Sequence, residues 1–490
     1  MQLSIALDQT QFMKRQISGQ CFYSILLLIS ISTHAQKKLR IAAFASQLDS
    51  IRIALKIPAM ALAVMQNDIP MYEAGLGYSD VTRHDTVTMK TCFRIASITK
   101  TFTSTLVMQL VEKGKLNLDS PISNFGIDLG DPHITVRNLI THSSEIVPGK
   151  YFQYNGYRYG KLGQVIEKVT GIPFYQALME NIIQPLGMTF SAPGLPIHDS
   201  LFDFYSYTRT HPEMISFFHN SFAHLSKAYD VSDKGEVVET RYLEEFGAFG
   251  GLASNIHDLL KYSEAIDSNR LVSAKTQREI FTPNRLSDGE LSPYGLGWFV
   301  QRYRGIDYDW HYGQTLGESG LLVKVPGEHL TLLANSDKLS QLFPLGDGDL
   351  FMSPVGQLFY KYFINEDSGF EKIDYSWSSE QIRNKILLDG NRKYLDFYNR
   401  EIIVHAAISN FDQDTIRARQ LYRIYAGLNF AKMASTNQNI IVQIRDVGIN
   451  KELAAGFTMK KRGQVSIYGV GENCSGDFSS WCDYGWIEDD

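Results

Sequence analysis

Phe93-Arg94-Ile95-Ala96-Ser97-Ile98-Thr99-Lys100-Thr101-Phe102 is the segment around which this chain organises itself. Phe102, Leu106, Leu110 and Val111 continue from it at helical spacing as far as Gly114, a residue suited to the position just past a helix end. Ser97 is therefore expected to open a helix, with Lys100 one turn on and facing the same side. A serine hydroxyl is a weak nucleophile until a neighbour takes its proton, and a lysine kept neutral by desolvation or nearby cations can do so. The bland alternative is a serine that caps the helix beside a solvated lysine. Taken alone, the pair does not separate the two.

Working outward, Ile41, Phe44, Leu48 and Ile51 recur at helical spacing before Pro58. Ala61 to Met65 and Met71 to Gly77 then flank the turn-rich Gln66-Asn67-Asp68-Ile69-Pro70 and read as a hairpin. A second hairpin is expected far downstream, where Leu321 to Val325 and Leu330 to Asn335 flank Pro326-Gly327-Glu328-His329. The intervening chain is mostly helical in pattern. The expectation is an α+β body in which both chain ends build one sheet beside a helical lobe, with a site at the junction. The stretch from His198 to Glu245, with Phe202, Phe204, Tyr205, Tyr207, Phe217, Phe218 and Phe222, has weak periodicity and reads as lobe packing or as a cover over substrate. After Asp367, Ser378 and Gln381 have capping-box spacing, a helix is expected around Ile416 to Leu428, and short strands follow Asn439.

The chain is 490 residues long, 44% hydrophobic and 20% charged, which excludes a disordered or small disulfide-stapled protein. A net charge of -6 gives no basis for a nucleic-acid partner. Lys14 and Arg15, the apolar run from Cys21 to Ile31 and Thr33-His34-Ala35 have the form of a signal peptide. Cleavage near Ala35 is expected, giving an exported protein, periplasmic or extracellular, with no membrane span left after cleavage. In that setting Cys474 and Cys482 could pair, leaving Cys92 over. No CxxC, HExxH or His-rich tract is present, so neither a metal nor another cofactor is expected.

Six segments in order carry a resemblance. They are Ser97 with Lys100; Ile134 to Ser144; Phe152-Gln153-Tyr154-Asn155-Gly156 with Leu162 to Gly171; Phe249 to Leu259; Tyr294-Gly295-Leu296-Gly297-Trp298; and Trp310-His311-Tyr312-Gly313. Together they resemble the serine beta-lactamase and penicillin-binding protein superfamily, in its class C and esterase-like branch, over Ile41 to Leu358. The resemblance implies a two-lobed fold with an antiparallel sheet flanked by helices, and a division into a signal peptide (1–35), a hydrolase domain (36–365) and an accessory region, helical then strand-rich (366–490).

It further implies Ser97 as the acylated nucleophile, Lys100 as its proton partner, and Tyr154 as the group that shares base duty and protonates the leaving group. A phenol beside a cationic lysine can be held near phenolate. The amides of Ser97 and Gln314 would hold the oxyanion, and Gly313 would let a substrate carbonyl approach the strand edge. Two positions depart from the pattern. Gly156 lacks the side-chain amide usual there, and His311 stands where many beta-lactamases carry lysine, as in esterase and peptidase relatives. His142 and Glu145 receive no role. The implied substrate is a small molecule or short peptide cleaved at an ester or amide, a D-amino-acid peptide and a beta-lactam being narrower cases. The competing implication is a catalytically idle binding or sensor protein on the same scaffold.

Overall fold

The computed structural model describes residues 39–364 and 378–386, apart from residues 68, 195–208, 233–234, 242–245, 344 and 384. The expected signal peptide, Cys21, Cys474, Cys482 and residues 387–490 of the expected accessory region lie outside the described residues.

Twelve strands are described, in chain order β1 (Ala59–Gln66), β2 (Ile69–Asp80), β3 (Asp85–Thr86), β4 (Phe93–Arg94), β5 (Ala192–Pro193), β6 (Ala228–Val231), β7 (Val237–Thr240), β8 (Leu252–Ser254), β9 (Phe299–Tyr303), β10 (Ile306–Thr315), β11 (Glu318–Val325) and β12 (Glu328–Ala334). Seven of them form the main antiparallel sheet, in the order β3-β2-β1-β12-β11-β10-β9. The two hairpins read from sequence are β1–β2 and β11–β12, and they meet through β1 and β12, with Leu62 opposite Leu332. One sheet is thus closed from both ends of the domain.

The division of side chains in β1 follows the strand period of two. Ala59, Ala61, Ala63 and Met65 face the core of the helical lobe, whereas Met60, Leu62 and Val64 face a second core. Helix α1 (39–54) covers that second face with Phe44, Leu48 and Ile51, together with the helix Pro354–Phe359. Small side chains on the lobe side let the helix Ile256–Asp267 lie close to the sheet. The result is an α+β fold of two cores with the sheet between them.

Helix α2 (Thr99–Glu112) runs through the lobe with nearly every residue buried. Its buried hydroxyls are satisfied locally or by neighbours, as when Thr103 Oγ1 donates to the Ala248 carbonyl at 2.7 Å. The helix gives way at Lys113 to Gly114, whose φ of 67° is the left-handed conformation expected just past a helix end.

Two segments gain definition beyond their sequence pattern. Within the aromatic stretch, the helix Ile215–Ala223 buries Phe217 and Phe218 in the lobe core, and β6 pairs with β7. These described parts pack; Phe202, Phe204, Tyr205 and Tyr207 lie outside the described residues. Ser378 and Gln381 form the reciprocal capping pair expected of them, the Gln381 amide donating to Ser378 Oγ at 3.2 Å. Ile382 and Ile386 are then buried in the core beneath the sheet, so this turn packs on the same body as residues 39–364.

Candidate active site

Ser97 lies in a 3-10 turn, Ala96–Ile98, that leads into α2. Ala96 has a φ of 46°, a conformation unfavourable for a residue with a Cβ, and this bends the chain sharply just before Ser97. Neither the turn nor α2 has a side-chain cap, so Ser97 is not a capping serine. Its Oγ instead accepts a hydrogen bond from Lys100 Nζ at 2.8 Å.

Lys100 is only 1% exposed, which removes the solvated-lysine alternative. Its Nζ also donates to the Phe249 carbonyl at 2.8 Å. Among the described residues no carboxylate is bonded to it, and burial pushes its pKa down to about 7. Near neutral pH a substantial fraction of Lys100 therefore carries a lone pair and can accept the Ser97 proton.

Strand β10 supplies the next wall. β9 pairs with it only from Ile306 to Trp310, so His311 to Thr315 run on past the end of β9, paired with β11 alone. Gly313 in that run packs against the turn that carries Ser97, where a Cβ would stand 2.4 Å from the Ile95 carbonyl oxygen and 3.4 Å from Ala96 Cβ. Glycine is required here by the close approach of two backbones, a reason additional to access for a substrate. Gln314 follows and is exposed.

Tyr154 is held in an aromatic cluster. Its ring stacks on Phe299 with centroids 5.6 Å apart and lies 4.3 Å from the ring of His142. Lys100 Nζ sits 5.0 Å from the Tyr154 ring centroid. The phenol oxygen is buried and makes no hydrogen bond of normal geometry, although Ser97 is near enough to favour ionisation somewhat. Burial outweighs that influence and holds the phenol well above its usual pKa. The near-phenolate state expected from the resemblance is opposed by this burial, which favours the neutral phenol.

The positions flanking Tyr154 resolve the first departure. Asn155 caps the helix Gly156–Gly160 through a bond from the Arg158 amide, and its Nδ2 reaches Glu145, so it does not replace the missing amide beside the lysine. A Cβ on Gly156 would lie 3.9 Å from Lys100 Nζ. The glycine therefore leaves open a place beside the lysine that a longer side chain would fill.

His311 is fully buried with both ring nitrogens occupied: Nδ1 lies 2.7 Å from the Tyr312 carbonyl oxygen and Nε2 lies 2.8 Å from the Tyr294 hydroxyl. Burial pushes its pKa down to about 3, so the ring is neutral. It enters the site through its packing near Tyr154, with ring centroids 6.1 Å apart, and offers no unoccupied nitrogen. Three contributors lie in segments that carry the resemblance but were given no role from sequence: the Phe249 carbonyl, Tyr294 and His142. Among the described residues, no group of three or more His, Cys, Asp or Glu is placed to hold a metal ion, and no helix is long and apolar enough to cross a membrane.

Fold and site define a class: α+β proteins of two packed cores that carry a buried lysine bonded to a serine one turn earlier, at the seam between sheet and helical lobe. The chain belongs to the Beta-lactamase family, whose model matches residues 42–340, and hence to a superfamily of serine hydrolases and penicillin-binding proteins. It is similar to Penicillin-binding protein 4* of Bacillus subtilis (strain 168), with 24% identity over 321 residues that cover 56% of this chain and 67% of that protein. It is also similar to Penicillin-binding protein 4 of Amycolatopsis lactamdurans, with 24% identity over 358 residues, 63% of this chain and 88% of that one. Among solved structures, the octameric penicillin-binding protein homologue from Pyrococcus abyssi shares the fold, with a TM-score of 0.52, 24% identity and coverage of 60% of this chain and 73% of that chain.

Proposed function

We propose that this protein is a serine hydrolase that cleaves an ester or amide through an acyl-enzyme on Ser97. The observation that carries the reading is the buried Lys100 amine, 2.8 Å from Ser97 Oγ and shifted to a pKa of about 7. Neutral Lys100 takes the hydroxyl proton as Oγ attacks the substrate carbonyl. The oxyanion that forms is stabilised by the amides of Ser97 and Gln314. Tyr154, a neutral phenol, gives its proton to the leaving group and recovers one from Lys100, so the net transfer is from Ser97 to the leaving group. Water then attacks the acyl-enzyme; its proton returns by the same route and restores Ser97.

The substrate is a small molecule or short peptide, and the protein acts after export, a reading supported by the signal-like sequence from Lys14 to Ala35. A D-amino-acid peptide fits the similarity to penicillin-binding proteins, and a beta-lactam fits less well because neutral, doubly bonded His311 supplies no cation for a carboxylate. The residues after 386 are read as an accessory region. A catalytically idle binding protein is the second reading, favoured by Gly156, which leaves Lys100 without a side-chain amide beside it.

Intact-protein mass spectrometry after exposure to an activated ester, a fluorophosphonate and a penicillin tests both. An adduct that is absent in S97A, together with ester turnover, is expected. A stable adduct without turnover would support the idle reading, and a folded protein that takes no label from any of the three would overturn the hydrolase.

A further inference from the structure

His142 makes two bonds to the chain on either side of Tyr154. Its carbonyl oxygen accepts from the Gln153 amide at 2.8 Å, and its ring Nδ1 accepts from the Asn155 amide at 3.1 Å. Tyr154 is the residue between the two tethers. An Nδ1 that accepts from a backbone amide carries no proton, so the neutral ring is protonated at Nε2. That Nε2 is buried and has no hydrogen-bond partner among the described residues. The backbone of His142 is itself held at a φ of 52°. A left-handed backbone and an unsatisfied buried donor are both unfavourable, and together they mark a residue kept for a purpose other than stability. Its ring also fills the space between Tyr154, Tyr159 and Tyr294, with centroids 4.3, 5.0 and 4.8 Å away.

We propose that His142 is a positioning residue that clamps the backbone on both sides of Tyr154 and so aims the phenol at the leaving group. This rests on the reading of Tyr154 as the proton donor. Burial, with Lys100 and His311 nearby, holds the imidazole pKa well below its usual value, which keeps the acceptor nitrogen available across the working pH range.

The test compares an ethyl ester with a p-nitrophenyl ester of the same acid, because only the alkoxide leaving group depends on a well-placed proton donor. H142F keeps an aromatic ring and loses the acceptor. It is expected to lower the single-turnover acylation rate for the ethyl ester roughly 10- to 100-fold, the scale of a misaimed catalytic group, with substrate affinity and the p-nitrophenyl acylation rate little changed. H142N tolerates a positive φ and offers a side-chain oxygen to the Asn155 amide, so it should recover most of the loss. In a Y154F background H142F should have no further effect. Equal losses on both esters, or independent losses in the double variant, would overturn the proposal while leaving the hydrolase reading intact. A wild-type protein that turns over neither ester would overturn both. Should H142F fail to fold, hydrogen exchange on the wild type decides: the Gln153 and Asn155 amides should be protected at least about a hundredfold, and exchange at the rate of an open loop would overturn the clamp.

Discussion

The Tyr294 hydroxyl stands 2.8 Å from Nε2 of His311, and the other nitrogen of that ring faces the Tyr312 carbonyl at 2.7 Å. Nδ1 must therefore carry the proton and Nε2 must accept from Tyr294, which fixes the tautomer of a fully buried histidine. Tyr294→Phe leaves that nitrogen desolvated and unbonded. The expected loss of stability is about 1–3 kcal/mol, measured by denaturant unfolding, with only a modest fall in kcat. Unchanged stability would show that the bond contributes nothing.

Lys100 should set the pH dependence of Ser97 labelling. Its pKa is pushed down to about 7, so the base form grows as pH rises, and the acylation rate should climb through a midpoint near 7. Lys100→Met should abolish this and slow labelling by orders of magnitude. Linkage gives a second, independent readout. Between pH 7 and about 10 the unfolded chain holds a proton on Lys100 that the folded chain has released, so this residue contributes a rise in stability across that window, read as the difference between wild type and K100M. That rise should be missing in K100M.

Gly156→Asn tests the open place beside the lysine. A Cβ there makes only an ordinary contact, 3.9 Å from Lys100 Nζ, so the variant should fold. An amide oxygen near the ammonium form favours the charged state and raises its pKa. The midpoint of the labelling profile should accordingly move to higher pH, with slower acylation at pH 7. An unchanged midpoint would mean that the new side chain does not reach the lysine.

Gly313→Ala places a Cβ 2.4 Å from the Ile95 carbonyl oxygen, a backbone atom that cannot swing aside. Strain of about 1–3 kcal/mol is expected, together with a displaced nucleophile turn. Labelling of Ser97 should fall about 100-fold even where the variant remains folded. Thermal melting and labelling, read on the same sample, separate the two effects.

Much of the architecture was legible because it depends on local periodicity. The spacing of Ile41, Phe44, Leu48 and Ile51 predicted α1, and both hairpins announced themselves by short β-rich runs around turn residues. The pair Ser97 and Lys100 was visible, but its meaning was not. Whether that lysine is solvated depends on the Phe249 carbonyl and on lobe packing, supplied by chain far away in sequence. A backbone carbonyl has no side-chain identity, so nothing marks it in advance. The aromatic stretch after His198 concealed the helix Ile215–Ala223, because its buried face is no more than Phe217, Phe218 and Ser221 while the apolar Ile215 is half exposed, so apolar residues on both sides blur the stripe.

Residue types and their spacing, on their own, determined which faces of the strands and helices are apolar, that both ends of the body share a sheet, and which serine, lysine and tyrosine stand in motif order. Only the tertiary structure decided their protonation: a lysine near neutrality, a phenol kept protonated and a histidine fixed in one tautomer. The reason is physical. Periodicity is a property of neighbouring residues, whereas desolvation and hydrogen-bond partners come from whatever the folded chain brings into contact, and here those partners lie on segments separated by much of the domain.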